Sequence, residues 1–173
     1  MNSNTFNKLQ EIHQKYGPQE FGKICQKLLA IAFHSGGYGH VVERGVQGVD
    51  VDAAREGGEK YSLEVKTTEK DAIVFGRKDE EGLSSRAKDG YRPLLAVLQV
   101  GPLSEWYFVE SKRARVGTVI VESLRPYRQR ELERVISPLF EDAVEAHHSG
   151  IMKVGQEYLD NILRGSGVRV EDK

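Results

Sequence analysis

Val49-Asp50-Val51-Asp52-Ala53, followed by Tyr61-Ser62-Leu63-Glu64-Val65-Lys66-Thr67-Thr68, is the stretch on which the fold turns. In the first run Val49, Val51 and Ala53 alternate with Asp50 and Asp52. In the second, Tyr61, Leu63, Val65 and Thr67 alternate with Ser62, Glu64, Lys66 and Thr68. A period of two marks a strand with one apolar and one polar face. Arg55-Glu56-Gly57-Gly58-Glu59 lies between the runs and has turn chemistry, so the pair predicts an antiparallel hairpin.

Upstream, Phe6, Leu9, Ile12, His13 and Tyr16 recur at helical spacing and predict a first helix ending near Gly17. Pro18 suits the first turn of a second helix, where its missing N–H costs nothing. That helix carries Phe21, Ile24, Cys25, Leu28, Leu29 and Ala32 on one stripe, with Glu20 at its border, and ends at the loop Ser35-Gly36-Gly37-Tyr38-Gly39. Downstream, Ala72 to Phe75 reads as a short strand and Glu80 to Asp89 as a helix stopped by Gly90. Leu94-Leu95-Ala96-Val97-Leu98 is a continuous apolar run suited to a strand covered on both faces. Trp106 to Val109 is expected to pair with it across a Gly101-Pro102 turn. Three helices follow, around Tyr127 to Ile136, Pro138 to His147 and Ile151 to Leu163, and then a frayed tail from Gly165 to Lys173. The expected class is α/β: a sheet flanked by helices in one domain over residues 1–173. Its core is placed at about 18–110 and a C-terminal helical extension at about 122–164.

A chain of 173 residues can bury a sizeable core without disulfides or a structural metal. Cys25 is the single cysteine, which excludes an intrachain disulfide framework and cysteine-clustered zinc sites; a reducing, cytoplasmic location is the expectation. The 25 Lys and Arg against 26 Asp and Glu give a net charge of -1, so nucleic-acid binding would rest on local patches rather than a global positive field. Met1 to Phe6 lacks the order of a signal peptide, and the apolar stretch Leu28 to Phe33 is too short to span a bilayer. No membrane partner is expected.

The hairpin also carries the chemistry. Side chains two apart on a strand point the same way, so Asp50 and Asp52 share a face, as do Glu64 and Lys66. If the hairpin aligns these faces, carboxylates and one ammonium converge. Oxygen donors without a thiolate or imidazole cluster favour a hard cation such as Mg²⁺. A metal there would polarise a phosphoryl oxygen and help generate hydroxide, and Lys66 would stabilise developing negative charge or orient water. Phosphodiester hydrolysis fits these parts best. A solvated face with cross-strand charge pairs accounts for the same alternation.

Gly48-Val49-Asp50 with Leu63-Glu64-Val65-Lys66 resembles the divided motif of the PD-(D/E)XK nuclease superfamily, which includes many restriction endonucleases and Holliday-junction resolvases. Gly48 stands where the family name has Pro. The resemblance runs roughly from Pro18 to Val109 and implies a restriction-endonuclease-like core with a central mixed sheet. It also implies a divalent-metal-dependent DNA endonuclease, acting in restriction or defence or in junction resolution, with Mg²⁺ as cofactor and Mn²⁺ able to substitute. By position, Asp50, Glu64 and Lys66 would be catalytic. Asp50 and Glu64 would bind metal, with the carbonyl of Val65 as a further ligand. Many members add an acid from the first core helix, a role that would fall to Glu20; a helix N-terminal carboxylate favoured by the dipole is the other reading of that residue.

Asp52 is either a second ligand or the acceptor of a salt bridge. Lys70, Arg77, Lys78, Arg86 and Lys88 follow the hairpin closely and are the expected phosphate contacts, although Asp79, Glu80, Glu81 and Asp89 interrupt them as on an ordinary mixed surface. Lys112, Arg113 and Arg115 form a second basic group, and Arg125, Arg128 and Arg130 a third. Thr68 shares the Glu64 face, Gln99 ends the apolar strand, and Trp106 and Tyr107 read as core. His40 is either a phosphate contact or an ordinary loop histidine, and His147-His148, near a helix end, has no metal-ligand companions nearby. One small catalytic domain does not easily cut both strands of a duplex, so a homodimer is expected, with the stripes of the C-terminal helices as its interface or as caps on the sheet. The alternative is a nuclease-fold module that binds nucleic acid or protein without hydrolysis.

Overall fold

A computed structural model describes residues 1–45, 49–101 and 104–171. Gly48 of the motif and Pro102 of the expected turn lie outside the described residues.

Helix α1 spans Ser3–Ser35, and the Asn2 side chain accepts the Thr5 N–H at 2.9 Å to cap it. Its helical path is broken once, at Gly17, whose φ of 77° suits glycine, and Pro18 opens the next segment. The predicted division into two helices therefore sits at the predicted residue. In the second segment Phe21, Ile24, Cys25, Leu28, Leu29 and Ala32 are all buried.

Strands β1 (His40–Arg44), β2 (Val51–Ala54), β3 (Lys60–Thr68), β4 (Ala72–Phe75), β5 (Arg92–Gln99), β6 (Trp106–Glu110), β7 (Gly117–Ile120) and β8 (Arg169–Glu171) form two sheets. The main sheet runs β6-β5-β3-β2-β1-β8. The predicted hairpin is β2–β3, antiparallel, with Val51 opposite Leu63 and Asp52 opposite Ser62. β5 lies parallel to β3, and β6 antiparallel to β5, so the sheet is mixed. β4 leaves the main sheet and pairs with β7 in a separate ribbon.

The sheet is covered on both sides. Leu63, Leu94, Ala96 and Leu98 join the apolar cluster of α1 and the C-terminal helices. Leu95 and Val97 join the opposite cluster, with Leu83 of α2 (Arg77–Lys88) and with Ile73 and Val119 of the ribbon. The unbroken apolar run of β5 follows from burial on both faces.

The C-terminal half departs from expectation in two ways. Helix α3 runs unbroken from Arg130 to Val154, through Pro138, and the helix break comes at Gly155 (φ 80°) before α4 (Gln156–Gly165). Burial of Ile136, Phe140, Val144 and Ile151 along one stripe outweighs the hydrogen bond that proline removes. The tail is ordered as far as Glu171, where the described residues end: β8 pairs in parallel with β1, and Arg44 holds Glu171 at 2.6 Å. The apolar stripes of α3 and α4 pack in the same cluster as α1, so they belong to the chain's own core rather than to a dimer interface. Among the described residues no helix is long and apolar enough to cross a membrane.

Candidate active site

The β2–β3 register decides which side chains meet. Asp50 lies just before β2, opposite Glu64, and its N–H donates to the Leu63 carbonyl at 2.9 Å. The Val65 N–H then donates to Oδ2 of Asp50 at 2.7 Å. Asp50 is also tethered through its own carbonyl, which accepts the Arg44 N–H at 2.8 Å and lies 3.3 Å from Nε2 of the buried Gln26. Gln26 reaches the Glu43 carboxylate at 2.6 Å and the Arg44 carbonyl at 2.8 Å, which ties α1 to β1 as well as to Asp50.

Glu64 and Lys66 leave β3 on the face covered by α2. The Lys66 ammonium lies 2.7 Å from Oε1 of Glu64 and 2.8 Å from Oδ2 of Asp79. Asp79 stands in the first turn of α2, and its Oδ2 also accepts the Gly76 N–H at 2.8 Å, closing that helix end. Glu64 is only 6% exposed.

These positions set the protonation. Burial pushes the Glu64 carboxyl up to about 8, and the Asp50 charge adds to the rise against the opposing effect of Lys66. Burial likewise lifts Asp50 to about 6, although the Val65 N–H and the charges of Lys23 and Lys66 favour its ionised form. Burial would lower the Lys66 ammonium, but the Glu64 charge and the hydrogen bonds to Asp79 and Glu64 outweigh it and leave it raised. Burial would raise Asp79, yet hydrogen bonds from Lys66 and the Gly76 amide hold it below the usual carboxylate range. Burial thus disfavours the ionised form of both carboxyls, a perturbation found at functional sites and in structural ion-pair networks alike.

Asp50 and Glu64 offer oxygen donors only, and such a set fits a hard cation that keeps part of its hydration shell. Among the described residues, no three or more His, Cys, Asp or Glu side chains are grouped to hold a metal. Glu20, the acid expected from the first core helix, is not grouped with Asp50 and Glu64 in the structure. It lies toward Gly155, where an added Cβ would come within 3.3 Å of its Oε1, and lines a cavity of 520 Å³ with Lys23, Lys27, Glu43 and Glu171. On α1, Gln26 reaches the Asp50 carbonyl and the cation Lys23 favours the ionised Asp50 carboxyl.

Asp52, fully buried, takes the salt-bridge role left open by the sequence. It accepts Arg44 at 2.8 Å, Arg86 at 2.7 Å and the Ser62 hydroxyl at 2.6 Å. Arg86, expected among the phosphate contacts, also pairs with Asp89 at 2.7 Å and stacks over Tyr91 at 4.1 Å. A carboxylate buried at Asp52 requires that partner. Lys70, Arg77, Lys78 and Lys88 are exposed, Lys70 in the β3–β4 turn and the others on α2.

Gln99 donates to the Lys70 carbonyl at 3.0 Å, and Trp106 is buried against Phe108 and Phe140. Arg128 is held by Glu105 and Glu133 and stacks over Tyr107 at 4.0 Å. His147 contacts Tyr158 at 3.0 Å, and His148 lies 2.8 Å from Glu11. Asp79, which in the sequence is one of the acids interrupting a basic cluster, is a site residue in the structure through its contact with Lys66. Its signal was the spacing Gly76-Arg77-Lys78-Asp79, an N-cap glycine with an acid three residues on.

No protein-family model matches the chain, and no curated protein matches it. Solved structures do. Hjc, a Holliday junction resolvase from the archaeal hyperthermophile Archaeoglobus fulgidus, superposes with a TM-score of 0.54 at 16% identity, over 65% of this chain and 95% of Hjc. At that identity the likeness speaks for the fold alone: a mixed sheet flanked by helices, restriction-endonuclease-like in its architecture.

Proposed function

We propose that this protein is a divalent-metal-dependent endonuclease that hydrolyses DNA phosphodiester bonds. One observation carries the reading. Asp50 and Glu64 face each other across the hairpin, with the Lys66 ammonium 2.7 Å from Glu64, on a fold that also carries a resolvase. Asp50 and Glu64 would hold Mg²⁺ or Mn²⁺, with the Val65 carbonyl as a further ligand. Such a cation, when bound, polarises a phosphoryl oxygen and lowers the pKa of water at the site.

The chain's own groups do the rest. Lys66 keeps a positive charge beside Glu64, where negative charge grows on the phosphate as water adds and a phosphorus–oxygen bond breaks. The clamp from the Val65 N–H keeps Asp50 turned toward β3. Exposed Arg77 and Lys78 stand in the same first turn of α2 as Asp79, and with Lys70 and Lys88 would take neighbouring phosphates, which the net charge of -1 leaves to local cations. Cutting both strands of a duplex or junction takes two such sites, so the proposed working unit is a homodimer. A reducing cytoplasm suits the lone buried thiol of Cys25.

A second reading, a nuclease-fold module that binds without hydrolysis, is favoured by Lys66 being already paired with two acids. Cleavage separates them. Purified protein is incubated with plasmid, four-way junction and single-stranded DNA, in Mg²⁺, Mn²⁺ or chelator. Metal-dependent cleavage that is lost in E64A and K66A, with their melts retained, supports the enzyme. Tight DNA binding with no cleavage in either metal supports the module.

A further inference from the structure

The mechanism above uses Lys66 but leaves open what aims it. A lysine has four rotatable side-chain bonds, and a strand residue that is partly exposed does not hold one rotamer unaided. Glu64 cannot be the sole anchor, since a carboxylate engaged with a cation has fewer lone pairs for an ammonium. The remaining contact is Asp79, 2.8 Å from the Lys66 nitrogen.

Asp79 is itself fixed from three directions. Its Oδ2 accepts the Gly76 N–H at 2.8 Å, and Gly76 has room for that contact because even a Cβ there would already come within 3.3 Å of Oδ2. Its helix is anchored to the sheet by fully buried Leu83 and, two turns on, by Arg86 bonded to Asp52. The carboxylate therefore sits on a rigid element pinned to the same hairpin that carries Glu64 and Lys66.

We infer that Asp79 is a positioning residue, which holds the Lys66 ammonium at the candidate site from the α2 side and keeps it there when Glu64 turns to a cation. The inference rests on the nuclease reading for its use in catalysis, but the positioning itself is a property of the chain. Partners of this kind, one contact removed from the reacting groups, typically matter by 10–100-fold.

The test compares full-length wild type with D79N and D79E. Asparagine keeps an oxygen for the Gly76 amide and removes the charge, so D79N is expected to melt within about 2 °C of wild type. Metal-free crystal structures of both are expected to show the Lys66 nitrogen withdrawn from its wild-type position in D79N and restored in D79E. Cleavage of a four-way junction by D79N is expected to lose about 10–100-fold in kcat with KM nearly unchanged. If Lys66 keeps its position in D79N, or kcat does not fall in a cleaving enzyme, Asp79 is only a helix cap and the inference is overturned. If wild type cleaves nothing while Lys66 still moves in D79N, the nuclease reading fails and the positioning stands. Should D79N not fold, D79S, whose hydroxyl also accepts the Gly76 amide, is read in the same way.

Discussion

The backbone N–H of Val65 points at Oδ2 of Asp50, 2.7 Å away. The residue between Glu64 and Lys66 is thus the clamp that draws the preceding strand's acid into their company. Strand pleating sends the Val65 side chain to the opposite face, where it packs against the α1 cluster, so one residue serves both the core and the site.

Replacing Asp50 tests the clamp. D50N keeps an acceptor for the Val65 amide and removes a carboxyl that burial already disfavours as an anion. The metal-free D50N protein is expected to melt at or above the wild-type temperature at pH 8, while Mn²⁺ binding by calorimetry weakens by at least about tenfold. A D50N protein that binds Mn²⁺ as wild type does would remove Asp50 from the ligand set.

Glu64 gives the metal-free protein a characteristic pH dependence. Its carboxyl is raised from an ordinary 4.5 to about 8, so the folded state binds the proton more tightly than the unfolded chain. That contribution is complete below pH 4.5 and is lost as pH climbs through about 8. In chelator, the wild-type melting temperature is expected to drop by roughly 5 °C or more between pH 5 and pH 8.5, and E64Q to show a flatter profile. Parallel profiles for the two proteins would contradict the assignment. Metal affinity should rise over the same window, since the ligand must lose its proton.

Arg86 and Lys88 separate structural from surface cations. Arg86 neutralises buried Asp52, so R86A is expected to cost about 2 kcal/mol in urea unfolding, with Arg44 retaining part of the compensation. K88A, at the exposed end of α2, should leave the melt within about 1 °C and show its effect, if the flank contacts phosphates, as a shallower salt dependence of DNA binding. Equal destabilisation by the two would place Lys88 in the framework as well.

Lys66 is the group expected to matter for rate rather than for fold. K66A removes a charge that is paired but partly exposed, so the protein should remain folded while junction cleavage falls by about 10²–10³-fold in kcat. A K66A enzyme that cleaves within a few-fold of wild type would assign the ammonium to structure alone.

Much of this arrangement is legible in the sequence because its causes are local. Alternation at Val49–Ala53 and Tyr61–Thr68, with glycines between, determines the hairpin, and spacing by two puts Glu64 and Lys66 on one face. The break at Gly17 and the doubly buried β5 follow from equally local signals. What the sequence hides depends on contacts distant along the chain. β1 and β8 are short and become strands through each other and through β2. Pro138 reads as a helix boundary, yet the buried stripe from Ile136 to Ile151 carries α3 across it. By sequence Asp79 and Arg86 both belong to one ordinary mixed-charge surface, with the helix expected only from Glu80 on. Their destinations, Lys66 and Asp52, are set by how α2 docks on the sheet, which no spacing within the helix encodes.

The central claim is that the hairpin gathers Asp50 and Glu64 around a divalent cation, and crystals soaked in Mn²⁺ test it most directly through anomalous scattering. The account predicts a peak bridged by the Asp50 and Glu64 carboxylates, absent from E64A crystals treated alike. A wild-type map with no peak there, or with manganese bound only elsewhere on the chain, would contradict it.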